Sequence, residues 1–213
     1  MLPIVESIMI RETHSSYGKP IDSLSTLIIG AQRSTMLLTR SMLALAGVKS
    51  IVAFENPVLA LNHLISYHID LVVIEGECQP ISGLKFLKVM RHQNADPLCF
   101  IPVVLTYAQP TPTYVNQAMK MGAQLVLNRP FSTSMLRDRL LWLLADKRKM
   151  FLRSDRWQIE GVDELLQNNA QNKLLPSLLS QLGLNAPRAD ETAAQSLIDS
   201  ILGADTEQTK ASA

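Results

Sequence analysis

Aromatic residues are scarce in this chain, at 5% of its 213 residues. Excess charge is scarcer still, because 20 Lys and Arg against 19 Asp and Glu leave a net of +1. A nucleic-acid partner selects a strongly basic surface, so that balance argues against one. The charge is unevenly spread. Residues 157–213 hold three Lys and Arg against eight Asp and Glu, and the first 156 residues hold 17 against 11. An acidic C-terminal part excludes a basic DNA-binding output there.

There are only two cysteines, Cys78 and Cys99, with no CxxC spacing and no histidine companions. They define neither a disulfide framework nor a zinc site and read as small hydrophobes in a reducing compartment. His14, His63, His68 and His92 are scattered, with none at metal-ligand spacing from another. No hydrophobic run approaches the length of a membrane-spanning helix. The opening MLPIVESIMIRE has no cationic start and is broken by Glu6, so it is not read as a signal peptide. A cytoplasmic protein that touches neither membrane nor nucleic acid is expected. A phosphate-binding loop is missing too, since Gly30 beside Arg33 and Ser34 lacks the glycine spacing and the Lys-Ser/Thr ending.

What is present is regular. Apolar residues make up 47% and charged residues 18%, the balance of a folded domain. After an irregular segment (1–24) containing SSYGKP, strands and helices alternate. TLIIG (26–30), SIVAF (50–54), DLVVIE (70–75), IPVVLTY (101–107) and QLVLN (124–128) read as strands. Between and after them, 35–47, 56–67, 82–93, 113–122 and 134–150 show helical spacing. Gly47 and Gly122 are placed as helix stops, and Asn56 as a cap ahead of Pro57. Such alternation predicts an α/β domain over 25–150, a doubly wound, flavodoxin-like parallel sheet of five strands in the order 2-1-3-4-5. Functional groups in this architecture gather beyond the carboxyl ends of the strands. A helical C-terminal extension is expected over 151–205, including apolar faces at 174–183 and 192–203, and the tail 206–213 is expected to be disordered.

Three stretches carry a resemblance. TLIIGAQRSTMLLTRSMLALAGV, DLVVIEGECQPISGLKFL and MGAQLVLNRPF together resemble the response-regulator receiver domain of bacterial two-component signalling, over roughly residues 25–147. That resemblance implies the fold above and a phosphorylation site built from a fixed set of chemical positions. Two acidic residues after the first strand, with an acceptor Asp, would hold Mg²⁺ through oxygen ligands. Here they fall on Gly30, Ala31 and Glu75. The hydroxyl residue falls on Tyr107, or on Thr106 if the strand shifts by one, the switch aromatic on Val126 and the lysine on Arg129. All of these positions depart from the pattern. The resemblance therefore implies the fold without the chemistry: a degenerate pseudo-receiver with no catalytic residue, no metal and no cofactor.

Glu75 and Arg129 are expected to pair across the ends of the third and fifth strands, holding the pocket in one state. The resemblance further implies a cis Arg129–Pro130 bond. Beyond the pocket, KRKMFLRSDR (147–156) gathers five basic residues, read as a solvated helix end that complements the helix dipole. The function expected is non-enzymatic regulation by contact with a signalling protein, independent of phosphorylation. Receivers commonly use the face of the fourth helix, fifth strand and fifth helix, where a homodimer would also form. Two rival readings are a phosphorelay regulator with atypical chemistry and a doubly wound domain binding a small ligand near Gly30 and Ala31.

Overall fold

The computed structural model describes residues 9–11 and 13–167. The expected helices at 174–183 and 192–203 and the tail 206–213 lie outside the described residues. Five strands, β2 (Ser25–Ile29), β3 (Ser50–Phe54), β4 (Leu71–Glu75), β5 (Val103–Tyr107) and β6 (Leu125–Asn128), form a parallel sheet in the order β3-β2-β4-β5-β6. Counted within that sheet, this is the expected order 2-1-3-4-5. The helices are α1 (Arg33–Ala46), α2 (Pro57–Ser66), α3 (Gly83–Met90), α4 (Pro112–Lys120) and α5 (Thr133–Ala145).

Local chemistry sets the helix ends. Asn56, Ser82, Thr111 and Ser132 each accept a backbone N–H from the first turn of the helix they precede. Gly47 closes α1 at φ +114, a left-handed conformation that a Cβ would strain. Every residue of β4 and β5 is buried, as a sheet covered on both faces requires.

The segments flanking this sheet differ from expectation. Residues 9–11 of the supposedly irregular N-terminal part form β1 (Met9–Arg11), which pairs antiparallel with β7 (Met150–Arg153). β7 turns through Ser154 (φ 58) and Asp155 into β8 (Arg156–Ile159). The extension therefore begins as a β-hairpin and becomes helical only at residues 162–167. Met150, Trp157, Ile159, Val162 and Leu166 are buried and continuous with the main core. Trp157 sets its ring edge-on to Phe100, with centroids 4.7 Å apart.

The basic run is accordingly not a helix end. α5 stops at Ala145, and Arg148 folds back onto Asp146 with guanidinium–carboxylate bonds of 2.8–3.1 Å while lying over the Trp142 ring. A second arginine pins the floor of the sheet. Arg91 is fully buried and donates to the carbonyls of Cys99, Ile101 and Gly122 and to Gln124 Oε1, at 2.8–3.0 Å. Its own carbonyl accepts the Trp157 N–H at 2.8 Å, tying the hairpin to the sheet. Nearby, Ser16 and Lys19 both bond Asp70 at the start of β4.

Candidate functional site

Three strand ends converge at the carboxyl edge of the sheet. Glu75 closes β4, level with Thr106 of β5 and one step from Gly30, which follows β2. The backbone amide of Arg129 donates to the carbonyl of Tyr107 at 2.6 Å, so β6 delivers the arginine beside them. The Arg129–Pro130 bond is cis, as expected.

Glu75 is buried at 6% exposure and its two oxygens are divided between two donors. Oε2 accepts the Ala31 N–H at 3.0 Å. Oε1 faces Arg129 Nη1 at 3.4 Å, at the long end for such a bond. The guanidinium also reaches outward, with Nη2 3.2 Å from Glu77 Oε2. Glu77 in turn accepts weakly from the Ala108 N–H at 3.5 Å. Arg129 thus bridges a buried and an exposed carboxylate rather than serving Glu75 alone.

Gly30 is small for a reason of packing. A Cβ there would run into Met36 Cγ and come within 3.1 Å of the Glu75 carboxyl group. Met36, from the first turn of α1, fills the space beside the strand end and is itself 6% exposed.

Of the two candidates on β5, the alternation of side chains separates the roles. Leu105 and Tyr107 point toward the loop after β4, where a Cβ on Gly83 would meet Leu105 and a Cβ on Gly76 would overlap the Tyr107 ring. Thr106 is buried on the other face. Tyr107 thus covers Gly76, leans on Tyr114 with centroids 5.6 Å apart, and is 5% exposed. Burial above all, with Glu77, Tyr114 and Cys78 adding to it, pushes its hydroxyl pKa upward. Burial likewise pushes the Cys78 thiol up to about 12, helped by the Glu75 charge. Both groups stay protonated at neutral pH. Val126 is buried at 1% exposure within β6.

Sequence reasoning missed Met36, Glu77 and Gly76. Glu77 and Gly76 lie in the very stretch that carried the resemblance, and their roles appear only once β5 and β6 are laid beside β4.

Residues 26–141 match the response regulator receiver domain family, and the chain belongs to it. Solved structures agree on the fold. The chemotaxis response regulator CheY4 of Vibrio cholerae matches with a TM-score of 0.50 at 19% identity, covering 57% of this chain and 100% of its own. A Francisella response regulator receiver domain gives 0.51 at 21% identity, covering 57% and 96%. The receiver domain of a Pseudomonas aeruginosa sensor histidine kinase, solved with magnesium coordinated in its active-site cleft, gives 0.52 at 12% identity, covering 58% and 98%.

The divalent cation implied by this family does not fit the residues present. Neither Gly30 nor Ala31 has a side-chain oxygen, and Met36 fills the room an acid at residue 30 would need. The buried Glu75 carboxylate at these strand ends is already shared between an amide and a guanidinium. Among the described residues, no group of three His, Cys, Asp or Glu comes together as a metal site. Also among them, no helix is long and apolar enough to cross a membrane.

Proposed function

We propose that this receiver acts without phosphoryl transfer, as a non-enzymatic cytoplasmic regulator that binds a protein partner of a bacterial two-component pathway. One observation carries the reading: the Glu75 carboxylate sits between the Ala31 amide and the Arg129 guanidinium. Glutamate is one methylene longer than aspartate, so its charge reaches toward the space a phosphoryl group would occupy, and the arginine meets it there. A receiver that is phosphorylated gains a charged group there on demand; in this one the carboxyl group is built into the chain.

The rest of the pocket is consistent with a fixed state. Switching in receivers moves a hydroxyl residue and a strand aromatic together. Here the first position holds a tyrosine wedged on Gly76 and the second a buried valine. The partner surface in this reading is the face of α4, β6 and α5, the one receivers commonly use. Neither nucleic acid nor a membrane is part of this reading.

The test is incubation of the full chain with acetyl phosphate and Mg²⁺, followed by intact-mass measurement. An unchanged mass is expected. Gain of one phosphate overturns the proposal and favours atypical phosphorelay chemistry.

A further inference from the structure

The sheet has an open edge that is unusually bare of charge. Among the described residues β3 pairs with β2 alone, so its outer side lacks a strand partner. Exposed edges are normally blunted by lysine, proline or a bulge. β3 reads Ser-Ile-Val-Ala-Phe, and Ile51 to Phe54 are half-buried where the residues of β4 and β5 are closed over. The helix beside it continues the theme. No Lys, Arg, Asp or Glu occurs between Glu55 and Asp70. On the β3 side of α2, Leu59 is 54% exposed, while His63 touches the Phe54 ring at 5.1 Å and stacks on Tyr67 at 4.3 Å.

Along the chain of β3 and α2, charge returns only at the ends of the strand, with opposite signs: Lys49 before β3 and Glu55 after it. We propose that the protein forms a two-fold dimer by antiparallel pairing of β3 with β3 of a second copy, centred on Val52. In that register Ile51 lies opposite Ala53 of the second copy, Ser50 opposite Phe54, and Lys49 opposite Glu55, so an attractive pair closes each end. A parallel arrangement would set like charges together.

The backbone supports the same register. The Phe54 carbonyl accepts the Gly30 N–H at 3.2 Å, so Phe54, and by alternation Val52 and Ser50, direct their polar groups at β2. Ile51 and Ala53 therefore direct theirs outward. Centring on Val52 brings the outward groups of Ile51 and Ala53 into reciprocal hydrogen bonds with those of Ala53 and Ile51 in the second copy. Lys49 now touches Asp22 at 2.9 Å, and both side chains are half-exposed or more, so this contact exchanges readily for one with Glu55. Arg33 and Arg40 mark the α1 side of the edge, along a groove shared with Phe54 and Leu59, and keep that side wet. Contact therefore spreads from the strand onto the α2 side. This dimer leaves the face of α4, β6 and α5 free and does not depend on the state of the Glu75 pocket.

Light scattering and sedimentation of the full chain across the micromolar range test the proposal. The parent protein is expected to have twice its chain mass of 23.6 kDa. Glu55→Lys sets Lys49 against Lys at both ends and should weaken dimerisation at least about tenfold. Combining it with Lys49→Glu restores opposite signs and should restore the dimer. Val52→Lys places two ammonium groups at the axis and should give a monomer, with circular dichroism verifying its fold. A monomeric parent, a dimer indifferent to Glu55→Lys, or a doubly reversed variant that stays monomeric overturns the proposal.

Discussion

Met36 occupies the space in which a side chain at residue 30 would have to lie. Its Cγ would meet any Cβ built on Gly30, and the Glu75 carboxyl stands 3.1 Å away on the other side. An acid at residue 30 would therefore have to displace Met36, so a single substitution does not accommodate one. Gly30→Asp is expected to destabilise the fold by about 2 kcal/mol through overpacking, and Met36→Ala in the same chain to recover part of that. Urea denaturation of the two variants and their combination checks this.

The Glu75–Arg129 contact should be modest. At 3.4 Å, with Arg129 21% exposed and shared with Glu77, Glu75→Gln is expected to cost about 1 kcal/mol. Arg129→Ala should cost more, about 2 kcal/mol, because it leaves a buried carboxylate with only the Ala31 amide. A double-mutant cycle by thermal or urea denaturation measures the coupling. Equal losses from the two single changes would mean the burial of Glu75 is unimportant.

Acid should weaken the protein through His14. Its Nε2 lies 2.8 Å from the Leu143 carbonyl and its Nδ1 accepts the Ser16 N–H, roles that only one neutral tautomer fills together. Burial holds its pKa below the ordinary 6.5, and Arg91 and Arg148 act in the same direction while Asp146 and the Leu143 bond oppose them. Below pH 6.5 the unfolded chain binds a proton that the folded chain resists. Stability from this group is thus complete above 6.5 and falls as pH drops through the window beneath it. His14→Gln should flatten that acid limb in urea titrations on either side of pH 6.5.

The hairpin should behave as part of the domain. Trp157→Ala is expected to cost about 3 kcal/mol. A chain ending at Lys149 loses Met150, Trp157, Ile159, Val162 and Leu166 from the core and should melt without a cooperative transition, while one ending at residue 167 keeps it. Calorimetry distinguishes the two.

Much of the fold was legible because each strand of the main sheet is a short apolar run bounded by a capped helix, and Gly47 and Asn56 mark their ends by chemistry that works locally. The hairpin was not. Its strands are four residues each, and the alternation of Trp157 with Ile159 is hidden among arginines that read as a charge cluster. At the pocket, Glu75 and Arg129 stood out through the resemblance. Met36 and Gly76 did not, because their meaning is steric and depends on which side chain from another element fills the gap.

The β7–β8 hairpin is tied to the sheet through Trp157. Through Trp157, β8 lies by Phe100, Arg91 and Gly122, under the amino ends of β5 and β6, whereas Glu75 and Arg129 sit at the carboxyl ends. Five-residue strands separate the two by about 17 Å. News of any event at the pocket mouth must therefore travel the full height of the molecule before it reaches the chain leaving residue 167.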